Sequence, residues 1–230
     1  MMLVEVAIAG VCMLAGASGS SQGMVVKSPD GRLVVRVGVD GDGQLTYWLD
    51  REGRTVIAPS PLGVTVDGVA LGRGVAPGRP ERWALDETYL CRGVHSKARN
   101  HFNGVKLPVA HKPSGRAYTL EVRVFNDGVG LRYVVPGEGK RSVSGEDTAF
   151  LLPEGCGVWY QTNTKNYEGI HEQARVEQLK QDTFMGPPVV AELAEGAGYV
   201  AITEAALFNY SGMTLRAVGQ SSRRLVAAFQ

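Results

Sequence analysis

A chain of 230 residues is long enough to bury one sizeable core, and all-β domains of this length often form a single unit. With 24 Lys and Arg against 23 Asp and Glu, the net charge of +1 provides no field to attract nucleic acid or an anionic membrane. Both are therefore excluded as expected partners. The 30 glycines and the short valine-rich runs between turn residues indicate a sheet protein with many hairpins.

The N-terminal segment has the pattern of a secretory signal peptide. An apolar run at residues 6–17 is too short to span a bilayer and is followed by small residues that suit a signal-peptidase site. Glu5 and the lack of Lys or Arg before the run are atypical, so a misplaced start codon is the alternative. Cys12 lacks the small residue expected just before a lipidated cysteine. We predict a signal peptide at 1–23, a secreted or periplasmic domain at 24–230, and no membrane anchor.

The first mature segment predicts an antiparallel meander. Apolar residues alternate with others over residues 33–39 and again over 45–49, with turn residues between the two runs, and a third strand follows the "DREG" turn. Asp40 and Asp42 in "DGDG" have the initial spacing of a calcium loop. Arg51 stands where that loop needs its closing glutamate, so "DGDG" is interpreted as a hairpin turn.

Further hairpins follow along the chain. "PLGVTVDGVALG" predicts a short strand pair, residues 72–80 predict a surface connection, and "AYTLEVRVFNDGVGLRYVVP" is the clearest hairpin, closed by an "NDG" turn. Only "IHEQARVEQLK", at 170–180, has tolerable helical spacing. The sequence therefore predicts an all-β, antiparallel β-sandwich with little helix.

Motifs for catalysis and metal binding are sparse. The chain contains no GxSxG nucleophile motif, and no two of its four histidines have the spacing that puts both rings on one helix face. Cys91 and Cys156 lack the spacing of a zinc site. An exported compartment would allow these two cysteines to pair, and a pair of free thiols is the equal alternative.

One segment has the composition of a sugar-binding surface. In "WYQTNTKNYEGIHEQ", Trp159, Tyr160 and Tyr167 are interleaved with polar residues that include Asn163 and Glu168. Aromatic faces stack on the apolar surface of a sugar ring, while amides pair with its hydroxyls. A sheet edge with ordinary aromatic burial explains the pattern equally well.

The stretch "GYVAITEAALFNYSGM" places a carboxylate in an apolar context. If residues 198–205 are extended, Glu204 shares a face with Val200 and Ile202, where it would need a cation, a metal or several hydrogen-bond donors. The alternative is that the strand ends at Thr203 and that Glu204 points into water.

Five segments stand in a specific order along the chain: "NHFNGVKLPV" (100–109), "LEVRVFNDGVGLRYVVP" (120–136), "LLPEGCGVWYQTN" (151–163), "NYEG" (166–169) and "PPVVAEL…GYVAITEAALFNYSGM" (187–213). Together they resemble the N-terminal domain of glycoside hydrolase family 97. The similarity extends with gaps from Ser28 to Met213, and no single segment is diagnostic by itself. The family comprises exported bacterial α-glycosidases, α-glucosidases and α-galactosidases among them. They are built from an N-terminal super-sandwich, a catalytic (β/α)8 barrel and a C-terminal β domain.

This resemblance implies a role for one glutamate. In such enzymes the N-terminal sandwich packs against the barrel and lends it a glutamate that helps to hold calcium beside the substrate. Glu204 is the best match, followed by Glu192 and Glu168. No βαβ pattern precedes Gln230, so the catalytic barrel is expected to be absent from this sequence.

The resemblance also sets the expected activity and partners. The chain by itself is expected to hydrolyse nothing and to hold calcium only as part of a complete enzyme. The implied partners are an α-linked oligosaccharide or polysaccharide and, if the frame continues, a barrel in the same chain. The alternative function is that of a free-standing carbohydrate-binding or surface-interaction module.

Overall fold

Antiparallel strands account for almost all regular structure in the computed structural model, which describes residues 23–166, 168–205, 210–219 and 221–229. The predicted signal peptide thus lies almost wholly outside the described residues. Two 3-10 turns complete the regular structure, and neither is long or apolar enough to cross a membrane. The prediction of an all-β antiparallel sandwich with little helix is confirmed.

The strands are numbered in chain order. They are β1 (Met24–Lys27), β2 (Leu33–Val39), β3 (Leu45–Arg51), β4 (Arg54–Pro61), β5 (Val64–Val66), β6 (Val69–Ala70), β7 (Val75–Pro77), β8 (Glu81–Leu90), β9 (Lys97–His111), β10 (Arg116–Phe125), β11 (Val129–Val134), β12 (Val143–Glu146), β13 (Ala149–Leu151), β14 (Gly157–Gln161), β15 (Glu172–Arg175), β16 (Phe184–Glu192), β17 (Tyr199–Ile202), β18 (Thr214–Val218) and β19 (Arg224–Ala228). The 3-10 turns are Val176–Gln178 and Ala194–Gly196.

Three sheets form within these residues. An eleven-stranded sheet has the order β1-β2-β3-β4-β13-β19-β18-β16-β14-β15, with β17 also paired to β16. A five-stranded sheet has the order β11-β10-β9-β7, with β8 also paired to β9, and a three-stranded sheet has the order β12-β5-β6. Strand β16 is long enough to pair with β18 through its first residues and with β14 and β17 through its last ones.

The main core lies between the large sheet and the five-stranded sheet. Strand β2 contributes Val35 and Val37, and β10, which lies against it, contributes Leu120 and Val122, all fully or almost fully buried. Their neighbours in sequence point to the opposite faces, as strand alternation requires. Each such side chain stabilises the fold by about 1.5–3 kcal/mol through burial of apolar surface.

The "DGDG" segment is a hairpin turn between β2 and β3, as predicted. The Asp40 carboxylate oxygen Oδ1 accepts the backbone N–H groups of Asp42 at 3.0 Å and Gln44 at 2.9 Å. Gly43 adopts a φ of +78°, a left-handed conformation that glycine reaches without strain. The Asp40 carboxylate therefore stabilises the turn by accepting hydrogen bonds from backbone N–H groups within the turn.

Two local predictions were wrong. Residues 170–180 are not helical, because Glu172–Arg175 forms strand β15 along β14 and only Val176–Gln178 makes a 3-10 turn. Pairing with a strand distant in sequence overrides a weak local preference for helix. Residues 72–80 are more than a surface connection, because they contain β7, which pairs with β9 and buries Val75.

Cys91 and Cys156 are free thiols, which answers the question that the sequence left open. Burial raises the pKa of the Cys156 thiol, so this side chain is a poor nucleophile. Cys91 lies at the tip of the long β8–β9 hairpin, where Leu90 is 80% exposed and Val94 is 98% exposed. This hairpin tip is an apolar projection from the five-stranded sheet.

The stability of the domain is expected to fall as the pH drops below about 4. The Ser142 backbone N–H and the Arg141 guanidinium hold the pKa of Asp67 below its ordinary value of 3.8, and a bidentate contact with Arg99 does the same for Asp86. Because the folded-state pKa is depressed, these carboxylates stabilise the fold above the unfolded-state pKa. That stabilisation is lost as the pH falls through the folded-state value.

Thermal unfolding followed by circular dichroism between pH 2 and pH 6 checks this prediction. Asp86→Asn should flatten the decline at acid pH, whereas Asp127→Asn should not, because Asp127 is exposed and has no ion pair in the described part of the chain. A melting temperature that does not change from pH 6 to pH 2 would contradict it.

Candidate functional site

Strand β14 carries the first two residues predicted to bind sugar, and it separates them. Trp159 and Tyr160 are consecutive in the strand, so their side chains point to opposite faces of the sheet. Trp159 is 40% exposed on the outward face, whereas Tyr160 is half-buried against the core. The Tyr160 hydroxyl donates to Glu172 Oε2 at 3.4 Å, and burial followed by this carboxylate raises the pKa of Tyr160. The two rings therefore do not form one aromatic platform.

The loop after β14 carries the remaining predicted sugar contacts. Asn163 Nδ2 donates to Asn166 Oδ1 at 2.8 Å, and the same oxygen accepts the Glu168 backbone N–H at 3.0 Å. Asn163 Oδ1 accepts the Lys165 backbone N–H at 3.2 Å. Tyr167 lies outside the described residues. The two asparagines thus shape the loop through internal hydrogen bonds, and the loop exposes the side chain of Glu168.

Gln161, beneath this loop, was not singled out by the sequence. Its side chain is 2% exposed, and within the described residues neither its Nε2 nor its Oε1 has a hydrogen-bond partner. A register shift between β14 and β16 accompanies its inward orientation, and Gly186 lies opposite it. Side chains at Gly186 or Gly169 would collide with the Gln161 amide. Neither the bulge nor this reliance on two glycines is visible in residue spacing.

Strand β17 ends at Ile202, one residue before the end that the alternative interpretation gave it, and Glu204 lies just beyond the strand. Its side chain is half-buried rather than fully in water. Its Oε2 accepts the Met213 backbone N–H at 2.6 Å, and its Oε1 accepts no hydrogen bond among the described residues. Glu204 therefore connects the end of β17 to the segment before β18.

A second carboxylate contacts the same segment. The Tyr210 hydroxyl donates to Glu146 Oε1 at 2.5 Å, and burial together with this carboxylate raises the pKa of Tyr210. The Tyr210 ring also meets Phe229 edge-on, with 5.6 Å between the ring centroids. Glu146 and Glu204 thus hold residues 210–213 from two different strand ends.

The three glutamates considered for calcium do not come together among the described residues. The described residues contain no group of three or more His, Cys, Asp or Glu side chains placed to hold a metal ion. Glu204, Glu192 and Glu168 lie on three separate elements, and Glu192 is engaged by the Tyr199 hydroxyl at 3.4 Å. Calcium takes six to eight oxygen ligands, of which one carboxylate provides at most two. Glu204 by itself would therefore supply only a small part of a calcium coordination shell.

The architecture defines an antiparallel β-sandwich domain. The family model described as "Glycosyl-hydrolase 97 N-terminal" matches residues 26–230. The chain therefore belongs to glycoside hydrolase family 97, and it corresponds to the N-terminal domain of that family's enzymes.

Known relatives agree with this assignment. The chain is 28% identical over 228 residues to the retaining alpha-galactosidase of Bacteroides thetaiotaomicron, covering 93% of this chain and 33% of that protein. It superimposes with a TM-score of 0.79 and 21% identity on a family 97 enzyme of Pseudoalteromonas sp. strain K8 in complex with panose, covering 90% of this chain and 32% of the other. A beta-arabinopyranosidase crystal structure gives a TM-score of 0.80 with 22% identity, covering 90% and 35%. The chain thus spans about a third of the length of these relatives.

Proposed function

We propose that this domain is the N-terminal, barrel-supporting part of an exported, calcium-dependent α-glycosidase that acts on an α-linked oligosaccharide or polysaccharide. The observation that carries the proposal is the family match over residues 26–230. The relatives named above are a retaining alpha-galactosidase, an enzyme in complex with panose and a beta-arabinopyranosidase. The first two support an α-linked substrate. Export is supported by the apolar run and small residues at the N-terminus.

We propose calcium binding only for a complete enzyme, not for this domain alone. Glu204 would supply one ligand, and the other ligands would come from the two-thirds of such an enzyme that this chain does not match. The hydrogen bond from the Met213 backbone N–H orients the Glu204 carboxylate and leaves Oε1 available. Bound calcium would supply a fixed positive charge that orients sugar oxygens.

Packing against a catalytic barrel is supported by apolar side chains that this domain exposes. Ile170, in the loop after β14, is 91% exposed, and the tip of the β8–β9 hairpin exposes Leu90 and Val94. Leu90 and Val94 both lie at the tip of one hairpin, and exposed apolar side chains that lie close together are typical of surfaces that another domain covers.

The purified chain is expected to release no sugar from nitrophenyl α-glucoside or α-galactoside, with or without calcium chloride. Glycoside hydrolysis needs two carboxyl groups that flank the scissile bond, and the proposal places both of them in the barrel. Absorbance of released nitrophenol measures the reaction. Release above the enzyme-free blank would contradict the proposal.

Calcium titration by calorimetry is a second test of the same proposal. The chain alone should bind calcium no more tightly than about 1 mM, because one carboxylate is too few ligands for a stronger site. Glu204→Gln and the control Glu195→Gln should then behave alike. Tight binding that only Glu204→Gln removes would show that this domain holds a complete site.

A free-standing carbohydrate-binding module is the second candidate function, and the exposure of Trp159 on an open sheet face favours it. Such a module should be monodisperse in solution, whereas a sandwich that normally packs on a barrel should self-associate through its apolar surface. Light scattering on the purified chain distinguishes these two outcomes.

A further inference from the structure

The outward face of strands β15, β14, β16 and β17 carries two rows of side chains. Strand register aligns residues on neighbouring strands about 4.8 Å apart, and successive residues on one face of a strand about 6.6 Å apart. The first row is Gln173, Trp159, Val190 and Ala201, and the second is Arg175, Gly157, Glu192 and Tyr199. Trp159 is 40% exposed and Tyr199 is 67% exposed, so this face is open to solvent.

Gly157 makes a gap in the second row. Arg175 lies one strand away on one side and Glu192 one strand away on the other. A Cβ at position 157 would point into the gap, with Gln173 Nε2 at 3.6 Å and Glu192 Oε2 at 3.8 Å. A groove of about 520 Å³ lies over this glycine and continues to the 3-10 turn at Ala194–Gly196. This volume is within the range of about 300–1,000 Å³ that is typical of small-molecule sites.

The floor of the groove is held by backbone contacts. The Arg175 guanidinium donates to the Gly155 carbonyl oxygen, and Glu177 Oε1 accepts the Gly155 N–H at 2.7 Å. The Val176 N–H donates to the Cys156 carbonyl at 2.9 Å. Residues 155–157 are thus fixed against the end of β15, and the groove is formed before any ligand binds.

The polar groups around the groove are mostly unused. Within the described residues, the side chains of Gln173, Gln178 and Glu195 make no hydrogen bond or ion pair, and Glu192 accepts only the 3.4 Å contact from Tyr199. Arg175 and Glu192 flank the gap without pairing with each other. The groove therefore presents free donors and free acceptors side by side.

This combination suits a neutral ligand with many hydroxyl groups. An anion would meet two glutamates, and no three His, Cys, Asp or Glu side chains among the described residues are placed to hold a metal ion. A sugar hydroxyl both donates and accepts, so it can pair with an amide, a carboxylate and a guanidinium in one site. Trp159 does not line the groove itself, but it is the next residue after Gly157 on the outward face of β14. Its exposed ring therefore borders the groove, where it can stack on the apolar side of a sugar ring.

We propose that this groove binds one unit of a neutral oligosaccharide, with Trp159 stacking on the ring and Gln173, Arg175 and Glu192 binding its hydroxyls. The choice of an α-linked ligand rests on the proposed function, whereas the groove itself rests on the geometry of β14 to β17. The site does not use the loop that carries Asn163 and Glu168.

Calorimetric titration of the purified chain with panose tests this inference. Saturable binding is expected, and Gly157→Leu, which fills the gap, and Trp159→Ala should each weaken it by about tenfold or more. Gly130→Leu is the matched control, because Gly130 also lies in a strand, has open space around it and has no left-handed φ. This variant should bind panose like the parent chain.

Three further variants keep the test decisive. If Gly157→Leu fails to fold by circular dichroism, Gln173→Ala, an exposed substitution at the edge of the gap, should weaken binding instead. Asn163→Ala and Glu168→Gln should leave binding unchanged. Loss of binding in these loop variants, with normal binding in Gly157→Leu, would overturn the groove and leave the proposed function standing. Absence of binding by the parent chain at millimolar panose would also overturn the groove, and the hydrolysis and calcium tests are independent of that result.

Discussion

Replacing Gly72 by alanine is expected to lower the free energy of unfolding by about 2–3 kcal/mol. A Cβ at this position would lie 2.7 Å from the Leu62 carbonyl oxygen, 2.9 Å from Gly63 Cα and 3.0 Å from Gln44 Nε2. The first two are backbone atoms of the two-residue link between β4 and β5, and they cannot move without shifting those strands. The Gly72 carbonyl also accepts the Leu45 N–H at 2.8 Å, so Gly72 cannot retreat without losing that bond.

Urea unfolding followed by circular dichroism measures this effect. Gly145→Ala is the matched control, because a Cβ there meets nothing within 4 Å and the residue has no left-handed φ. It should change stability by less than about 1 kcal/mol and in the stabilising direction. Equal destabilisation by both substitutions would show that the close approach at Gly72 is not the cause.

The second large effect is expected at Gln161. Gln161→Glu should destabilise the domain by about 3 kcal/mol or more at pH 8, because the new carboxyl would be buried where the described residues offer Gln161 no hydrogen-bond partner. Burial raises the folded-state pKa of that carboxyl above its unfolded value of about 4.3. The penalty is therefore small at pH 4 and grows by about 1.4 kcal/mol per pH unit until the folded-state pKa is reached.

Gln161→Leu is the control for this prediction. It removes the unpaired amide and keeps most of the side-chain volume, so stability should stay the same or increase at every pH. Denaturant unfolding of the three proteins at pH 4, 6 and 8 makes the comparison. A Gln161→Glu variant whose deficit does not depend on pH, or a strongly destabilised Gln161→Leu, would mean that the amide has a partner in solution.

Local sequence accounts well for the hairpins. In β10 and β11 the apolar residues alternate without interruption, and the "NDG" turn closes the pair, so both strands are visible without tertiary information. The "DGDG" turn was likewise predictable, because the Asp40 side chain bonds to backbone groups only two and four residues away. Strand β7 was missed because it has three residues and stands among glycines and prolines.

The surroundings of the candidate site were harder to predict from the sequence. The separation of Trp159 from Tyr160 follows from strand alternation as soon as β14 is recognised. Glu204 was identified from the sequence, but its bond to the Met213 backbone depends on how the chain returns after β17. The burial of Gln161 depends on a register shift between β14 and β16, which local residue types do not encode.

The sequence by itself determined the fold class, most of the hairpins and the family, because these depend on alternation, turn residues and the order of segments along the chain. Tertiary structure alone decided that residues 172–175 form a strand. It also aligned Arg175, Gly157, Glu192 and Tyr199 in one row across four strands. The physical reason is that register between distant strands is set by long-range pairing and core burial, and a shift of one residue would turn every one of these side chains to the other face.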